Sequence, residues 1–209
     1  MAPKHLRINR IIDSCEVLGP GKRLVVSLQG CLLDCPGCIV PETRHFNRGQ
    51  LMTPLEIFDY INNIKDIQGI TLTGGEPMDQ AEALVELVYL IKSQTQLTIF
   101  TYTGYTLEKI IRWKNPFQLE LIMASDILCD GPYLRNFADR ELLWRGSSNQ
   151  RIFVFSSELK DQTKMINNPS QVEISFGRDK VVLMGIPSEE LLSEIKEVFK
   201  EPNCVSRHP

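Results

Sequence analysis

The sequence predicts an α/β fold, an open and partial β/α barrel of about six strand–helix units. Three observations carry this. Short apolar, β-branched runs such as Leu24–Leu28 and Ile70–Thr73 alternate with longer stretches of three- and four-residue apolar spacing, the rhythm of parallel strands joined by helices. Glycines close two of these runs, at Gly30 and at Gly74-Gly75, and α/β folds put their chemistry at the C-terminal ends of strands. The 209 residues fall short of the roughly 250 that a closed barrel of eight units takes.

Taken in order, the alternating stretch Leu6–Cys15 is an opening strand paired with the next one, and Gly19-Pro20-Gly21 breaks the chain into a turn. Leu24–Leu28 is a buried strand that delivers Gly30 and Cys31 at its end. Thr53-Pro54-Leu55-Glu56 supplies a cap, a proline at the first helical position and a glutamate three after the cap, so a helix runs to about Ile64. Ile70–Thr73 is the next strand and Ala81–Lys92 the next helix. Leu97–Tyr102 is a strand, Thr106–Lys109 opens a helix that ends between Trp113 and Asn115, and Leu119–Leu128 reads as a further strand. Beyond Ile152 the pattern changes to strands at Ile152–Phe155, Val172–Phe176 and Val181–Met184, with Gly177-Arg178-Asp179 as a hairpin turn. A last helix, Ser188–Lys200, is capped by Ser188, with Glu189 and Glu190 complementing its dipole.

Composition bounds the rest. A chain 43% hydrophobic and 23% charged with net charge -3 describes a single domain, residues 1–209, with no whole-chain attraction to nucleic acid or membrane. No apolar run reaches the roughly 18 residues of a membrane span, and Met1–Arg7 lacks a signal-peptide core. The expected setting is cytoplasmic. A reducing compartment suits six cysteines, three of them clustered, better than a disulfide framework; Cys15, Cys129 and Cys204 read as buried or incidental thiols.

The cluster is Cys31-Leu32-Leu33-Asp34-Cys35-Pro36-Gly37-Cys38, three cysteines at C-x3-C-x2-C spacing. A cube of four irons and four sulfurs takes four thiolates, so three leave one iron for a distant thiolate or an external chelator. A zinc site would more often pair two C-x2-C knuckles or add histidine, and His45 is the nearby candidate. The second stretch, Thr73-Gly74-Gly75-Glu76-Pro77, places two glycines and a carboxylate at the end of a strand, where a backbone can approach a ligand closely.

These two motifs together resemble those of the radical S-adenosylmethionine (SAM) enzymes. The resemblance implies that Cys31, Cys35 and Cys38 hold one [4Fe-4S] cluster, that SAM closes the open iron, and that reductive cleavage releases a 5′-deoxyadenosyl radical. It also implies that Gly74, Gly75, Glu76 and Pro77 bind SAM, Glu76 through the ammonium, with Tyr102, Thr103 and Asp130 on the ribose and carboxylate side. Ile186, after Val181–Met184, would pack on adenine.

Cys35-Pro36-Gly37-Cys38, Tyr102-Thr103-Gly104-Tyr105-Thr106, Asp130-Gly131-Pro132-Tyr133 and Trp144-Arg145-Gly146-Ser147-Ser148-Asn149-Gln150-Arg151 narrow the resemblance to the activating proteins of anaerobic ribonucleotide reductase. The implied partners are a glycyl-radical enzyme and a one-electron donor such as a flavodoxin or ferredoxin. Arg145, Ser147, Asn149 and Arg151 are the candidates for a partner or substrate loop, being rich in donors. One departure stands out: Ile39-Val40-Pro41-Glu42-Thr43-Arg44 follows the third cysteine where that family carries an aromatic residue and an asparagine. The alternatives are a small-molecule radical SAM enzyme resembling 7-carboxy-7-deazaguanine synthase, and a non-enzymatic metal-binding module that would need no Gly74–Pro77 stretch.

Overall fold

The computed structural model describes residues 4–161, 171–176, 181–185, 187, 189–199 and 205–208. Its centre is a sheet of seven strands: β1 Leu6–Cys15, β2 Arg23–Leu28, β3 Gln50–Met52, β4 Gly69–Gly74, β5 Thr98–Tyr102, β6 Ile127–Asp130 and β7 Arg151–Val154. They lie in the order β3-β1-β2-β4-β5-β6-β7. The four middle strands, β2, β4, β5 and β6, run parallel in register, Val26 beside Leu72 and Thr101 beside Leu128. β1, β3 and β7 join antiparallel at the two sides. The sheet is open, as its length required, and the expected six or so units resolve into these four parallel strands with antiparallel flanks.

Helices cover one face. They are α1 Pro54–Asn62, α2 Ala81–Gln94, α3 Leu107–Trp113 and α4 Pro116–Ala124. Leu24, Val26, Leu28, Ile70, Leu72 and Ile99 alternate onto this face and pack against Ile57, Ile61, Leu84, Leu87, Ile91 and Leu121 in one buried cluster, since strand side chains alternate and helical ones recur every three or four residues. The capping box at α1 forms as the sequence predicts: Thr53 Oγ1 accepts from Glu56 N–H (3.2 Å) and Glu56 Oε2 accepts from Thr53 N–H (2.7 Å).

The expected strand over Leu119–Leu128 is a correction. Its first half is α4, because Asn115 Oδ1 caps the amides of Phe117 and Gln118 and Pro116 occupies the first helical position; its second half is β6. A run of Leu, Ile, Met and Ala is apolar enough for either state, and the cap decides.

The opposite face is covered by other parts of the chain. Phe100 and Cys129 meet Leu143, Trp144 and Leu159, while Val25 meets Cys15, Val17, Leu18 and Met184. Met184 belongs to a second, three-stranded sheet made of β8 Val172–Phe176, β9 Val181–Gly185 and β10 Val205–His208, accompanied by α5 Glu189–Phe199. β8 and β9 pair antiparallel, as a hairpin requires, and β10 adds a parallel edge that the sequence did not announce. The turn at Gly177-Arg178-Asp179, the Ser188 cap and Cys204 lie outside the described residues. No described helix is long and apolar enough to cross a membrane.

Candidate functional site

One cavity gathers the C-terminal ends of the parallel strands, and all three clustered cysteines line it. β2 ends at Leu28, and Gly30 turns the chain with φ +108°, a region open mainly to glycine; a Cβ there would meet the Phe46 ring at 2.3 Å. Past the turn, Gly30 N–H donates to Thr43 O (2.6 Å) and Cys31 N–H to Arg44 O (3.1 Å). These bonds tie the start of the cysteine loop to its own return, and Asp34 and Arg44 add an ion pair across it. Leu32 N–H donates to Asp79 Oδ2 (2.7 Å), which fixes the loop to the turn after β4. Burial pushes the Cys31 thiol up to about 12 and raises Cys35 and Cys38 as well. Left alone the thiols stay protonated, so a metal must displace protons to be bound.

β4 brings the second motif to the same cavity. Gly74 has φ +93°, and a Cβ on Gly75 would lie 2.2 Å from the Gly30 carbonyl oxygen, so these glycines are needed for β2 and β4 to end side by side. Gly75 N–H donates to Leu28 O (2.8 Å) and Glu76 N–H to Gly30 O (2.9 Å), which locks the two motifs together.

Glu76 is only 2% exposed. Its Oε1 accepts from Met78 N–H (2.9 Å) and Thr103 Oγ1 (2.7 Å), and its Oε2 from Gly104 N–H (2.8 Å). Burial still dominates, lifting its carboxyl to about 7. Pro77 is buried as the first residue of a short 3₁₀ turn, Pro77–Gln80, and does not itself line the cavity.

Tyr102, at the end of β5, stacks on Phe100 with ring centroids 4.5 Å apart. Its hydroxyl is buried without a hydrogen-bond partner among the described residues, although it belongs to a cavity-lining residue. A buried hydroxyl without a partner costs free energy, so this one calls for a polar group from a ligand. Thr103 lines the cavity too and holds Glu76.

Asp130 is placed elsewhere. Fully buried at the end of β6, its carboxylate caps α3 through Leu107 N–H (2.7 Å) and accepts from Arg151 Nε (2.9 Å); it is not among the cavity-lining residues. Arg151 also grips Glu108 through both oxygens at 2.8 Å.

The loop between β6 and β7 spends several of its side-chain donors and acceptors on itself. Asn149 Nδ2 donates to Pro132 O (2.7 Å), Arg145 Nη1 to Gln150 O (3.3 Å), and Ser147 Oγ accepts from Leu134 N–H (3.3 Å). These side chains are therefore turned into the loop, and Tyr133, Trp144, Gly146 and Gln150 reach the cavity instead. The sequence singles out Arg145, Ser147, Asn149 and Arg151 of this motif as a partner or substrate loop, and polar type alone does not reveal which of its amides also form an internal turn. Gln150 closes that turn: its Oε1 accepts from Gly146 and Ser147 N–H (2.8 and 3.2 Å) and its Nε2 donates to Gly131 O (3.1 Å).

Ile39 and Val40, the unusual residues after the third cysteine, form an apolar wall with Val17, Leu18 and Leu33. Ile186 lies outside the described residues, while its neighbour Gly185 lines the cavity.

The donor set fits an iron–sulfur cluster better than a single ion. The three cysteines share one cavity, yet among the described residues no three Cys, His, Asp or Glu side chains converge closely enough to hold one metal. A cluster asks for that spread, because each thiolate takes a different iron, whereas tetrahedral zinc draws its ligands to one point.

Comparison with known proteins agrees with this geometry. A family model described as a 4Fe-4S single cluster domain matches residues 17–153. The anaerobic ribonucleoside-triphosphate reductase-activating protein of Enterobacteria phage T4 is 35% identical over 153 residues, covering 71% of this chain and 94% of that protein. Its namesake in Escherichia coli K12 is 34% identical over 141 residues, 64% of this chain and 89% of that one. A slighter likeness, to the solved structure of QueE from Escherichia coli, has a TM-score of 0.42 at 17% identity over 49% of this chain and 53% of that one, and adds nothing to these. The matches extend through nearly the whole length of the phage and bacterial proteins, and the family model spans both the cysteine loop and the Gly74–Glu76 edge, so this chain belongs to the family of anaerobic ribonucleoside-triphosphate reductase-activating proteins.

Proposed function

We propose that this chain is a radical SAM activase that installs a glycyl radical on an anaerobic ribonucleotide reductase. The observation that carries the reading is the single cavity shared by Cys31, Cys35, Cys38, the Gly74–Glu76 edge and Tyr102. When bound, the [4Fe-4S] cluster and SAM supply a 5′-deoxyadenosyl radical, whose target in this reading is an α-carbon hydrogen of a glycine in the partner.

The chain's own residues bind and orient. Cys31, Cys35 and Cys38 hold the cluster. Gly74 and Gly75, having no side chains, let the amino-acid end of SAM lie against the backbone, with Pro77 fixing the turn behind them. Thr103 and Gly104 hold the Glu76 carboxylate in place to receive the ammonium, and the Tyr102 hydroxyl takes a polar atom of the ligand. Ile39, Val40, Val17 and Leu18 exclude water on the apolar side, which protects a reactive species.

Asp130 and Arg151 brace the loop between β6 and β7, where Arg145, Ser147 and Asn149 keep its shape. That loop meets the partner, with Leu134 (36% exposed) and Phe137 (53% exposed) as its apolar contacts. One domain, residues 1–209, carries the whole site, in a cytoplasmic setting. The test is anaerobic: reconstituted protein, SAM, dithionite and candidate anaerobic reductases, scored for 5′-deoxyadenosine and a glycyl-radical doublet in electron paramagnetic resonance. SAM cleavage with no radical on any reductase would reject the partner assignment.

Glu76 gives a separate prediction. Below about pH 7 its carboxyl takes a proton, and an ammonium beside it would hold it ionised, so cation binding expels that proton. SAM affinity should therefore rise with pH up to about 7 and lose this acid limb in Glu76→Gln. The loss of a charge-assisted bond worth roughly 1.5–3 kcal/mol should weaken binding about ten- to a hundredfold, with iron content unchanged. Isothermal titration of SAM across pH measures both, and an acid limb that persists in Glu76→Gln would assign it to another group.

A further inference from the structure

Away from the cavity, one surface combines charge, an exposed aromatic ring and a continuous path to the cysteine loop. α3 and its cap place Lys109, Arg112 and Lys114 within six residues, all exposed, with Trp113 (45% exposed) and Ile111 (53% exposed) between them. The carboxylate of that stretch, Glu108, is taken up by Arg151 through both oxygens, so the face is left basic. Lys109, Arg112 and Trp113 lie on neighbouring positions three and four apart.

Trp113 is not isolated on this surface. Its ring packs edge-on against Tyr105, centroids 4.8 Å apart, and Lys109 Nζ sits over both rings at 5.0 and 4.8 Å. Tyr105 is buried, and its hydroxyl donates to Asp79 Oδ1 (2.9 Å). The other oxygen of Asp79 accepts from Leu32 N–H (2.7 Å), the amide that directly follows Cys31. An unbroken line of contacts thus runs from an exposed indole to the residue beside a cluster ligand. Basic residues near a helix C-terminus also complement its dipole, but that accounts for the charges alone and not for the half-exposed indole joined to the cysteine loop.

We propose that this face of α3 docks an acidic one-electron carrier protein, of the flavodoxin or ferredoxin class, and that Trp113, Tyr105 and Asp79 form a packed route from it to the cluster. The inference rests on the activase reading, because only a redox centre held by Cys31 gives the route a destination. One electron leaves the reduced carrier and one enters the cluster; no bond forms and no proton moves. Opposite charge steers such encounters and makes them salt-dependent. Lys109, Arg112, Trp113 and Lys114 do not line the cavity.

The experiment uses the reconstituted holoprotein and a photoreduced acidic flavodoxin, following cluster bleaching by anaerobic stopped flow and 5′-deoxyadenosine by chromatography. Arg112→Glu with Lys114→Glu should slow flavodoxin-driven reduction at least tenfold at low ionic strength. The gap should close as salt screens the charges, and dithionite-driven cleavage of SAM should stay at the wild-type rate. Trp113→Leu should lower the reduction rate at saturating flavodoxin.

Unchanged rate and salt dependence in the charge-reversed protein would overturn the proposal, as would a parallel fall with dithionite, which would place the damage in the site. A wild-type protein that cleaves SAM with dithionite but accepts no electron from flavodoxin would also overturn it. Failure with both reductants would instead reject the activase reading beneath it.

Discussion

Replacing any one of Cys31, Cys35 and Cys38 by alanine is expected to abolish iron uptake on anaerobic reconstitution, and SAM cleavage with it. The wild-type protein should take up about four irons and four sulfides per chain. The loss should be complete rather than graded because each cysteine would hold a different iron, and two thiolates would not keep the cube in a cavity whose remaining lining is largely apolar or backbone. Cys15→Ala and Cys129→Ala should retain the cluster, since both thiols are fully buried in packing contacts with Val25 and Phe100, away from the cysteine loop. Cys204→Ala is expected to behave alike. Iron and sulfide analysis with the visible absorption of the cluster reads the result. Stoichiometric zinc with no iron in the wild-type protein would reject the iron–sulfur assignment, and full iron content in any of the three variants would reject that ligand.

Arg23→Ala should cause a comparably large loss, of stability rather than chemistry. Arg23 begins β2 and is completely buried, with no carboxylate among its hydrogen-bond partners in the described residues. Its guanidinium donates instead to Thr71 Oγ1 (2.8 Å), Pro20 O (3.1 Å), Ile70 O (2.8 Å), Thr98 Oγ1 (2.9 Å) and Thr98 O (3.0 Å). These bonds join β2, β4 and β5 at the end of the sheet opposite the cavity. Burial lowers its pKa to about 10, which leaves it charged at neutral pH, and the five neutral oxygens offset its desolvation.

Truncation strands those oxygens and opens a cavity, at a cost of about 3–5 kcal/mol. For a chain of this size the melting temperature should fall by roughly 6–20 °C. Arg23→Lys should fall between the two, since three donors replace five. Thermal melts by circular dichroism decide it, and a shift of only about 2 °C or less in Arg23→Ala would show that the network is dispensable. Iron content per folded chain should be unchanged in both variants.

Arg23 also marks how far the sequence could be read. Residue type and spacing alone determined the elements that obey local rules: the α1 capping box at Thr53 and Glu56, the strands that end at Gly30 and Gly74, the opening strand Leu6–Cys15, and the α/β class that follows from them. They also brought out three clustered thiols and a Gly-Gly-Glu-Pro turn as candidate ligands, because coordination number and close backbone approach are local properties; the SAM chemistry came from the resemblance these motifs carry.

Where two local rules competed, tertiary contacts decided. The apolar stretch after Asn115 satisfied helix and strand patterns alike, and the cap together with packing on α2 made it α4. β3 and β10 are too short to carry a pattern of their own and exist through the strands they pair with. A buried arginine that joins three strands, and a tryptophan linked through Tyr105 and Asp79 to the cysteine loop, depend on contacts between residues tens of positions apart in the chain. The same holds for the loop after Asp130: Arg145, Ser147 and Asn149 are good ligands by type, but the fold joins them to backbone groups of the loop itself, while Gln150, Tyr133 and Trp144 line the cavity. Polar type follows from one residue, whereas the direction in which it is spent depends on which unsatisfied groups the fold brings beside it.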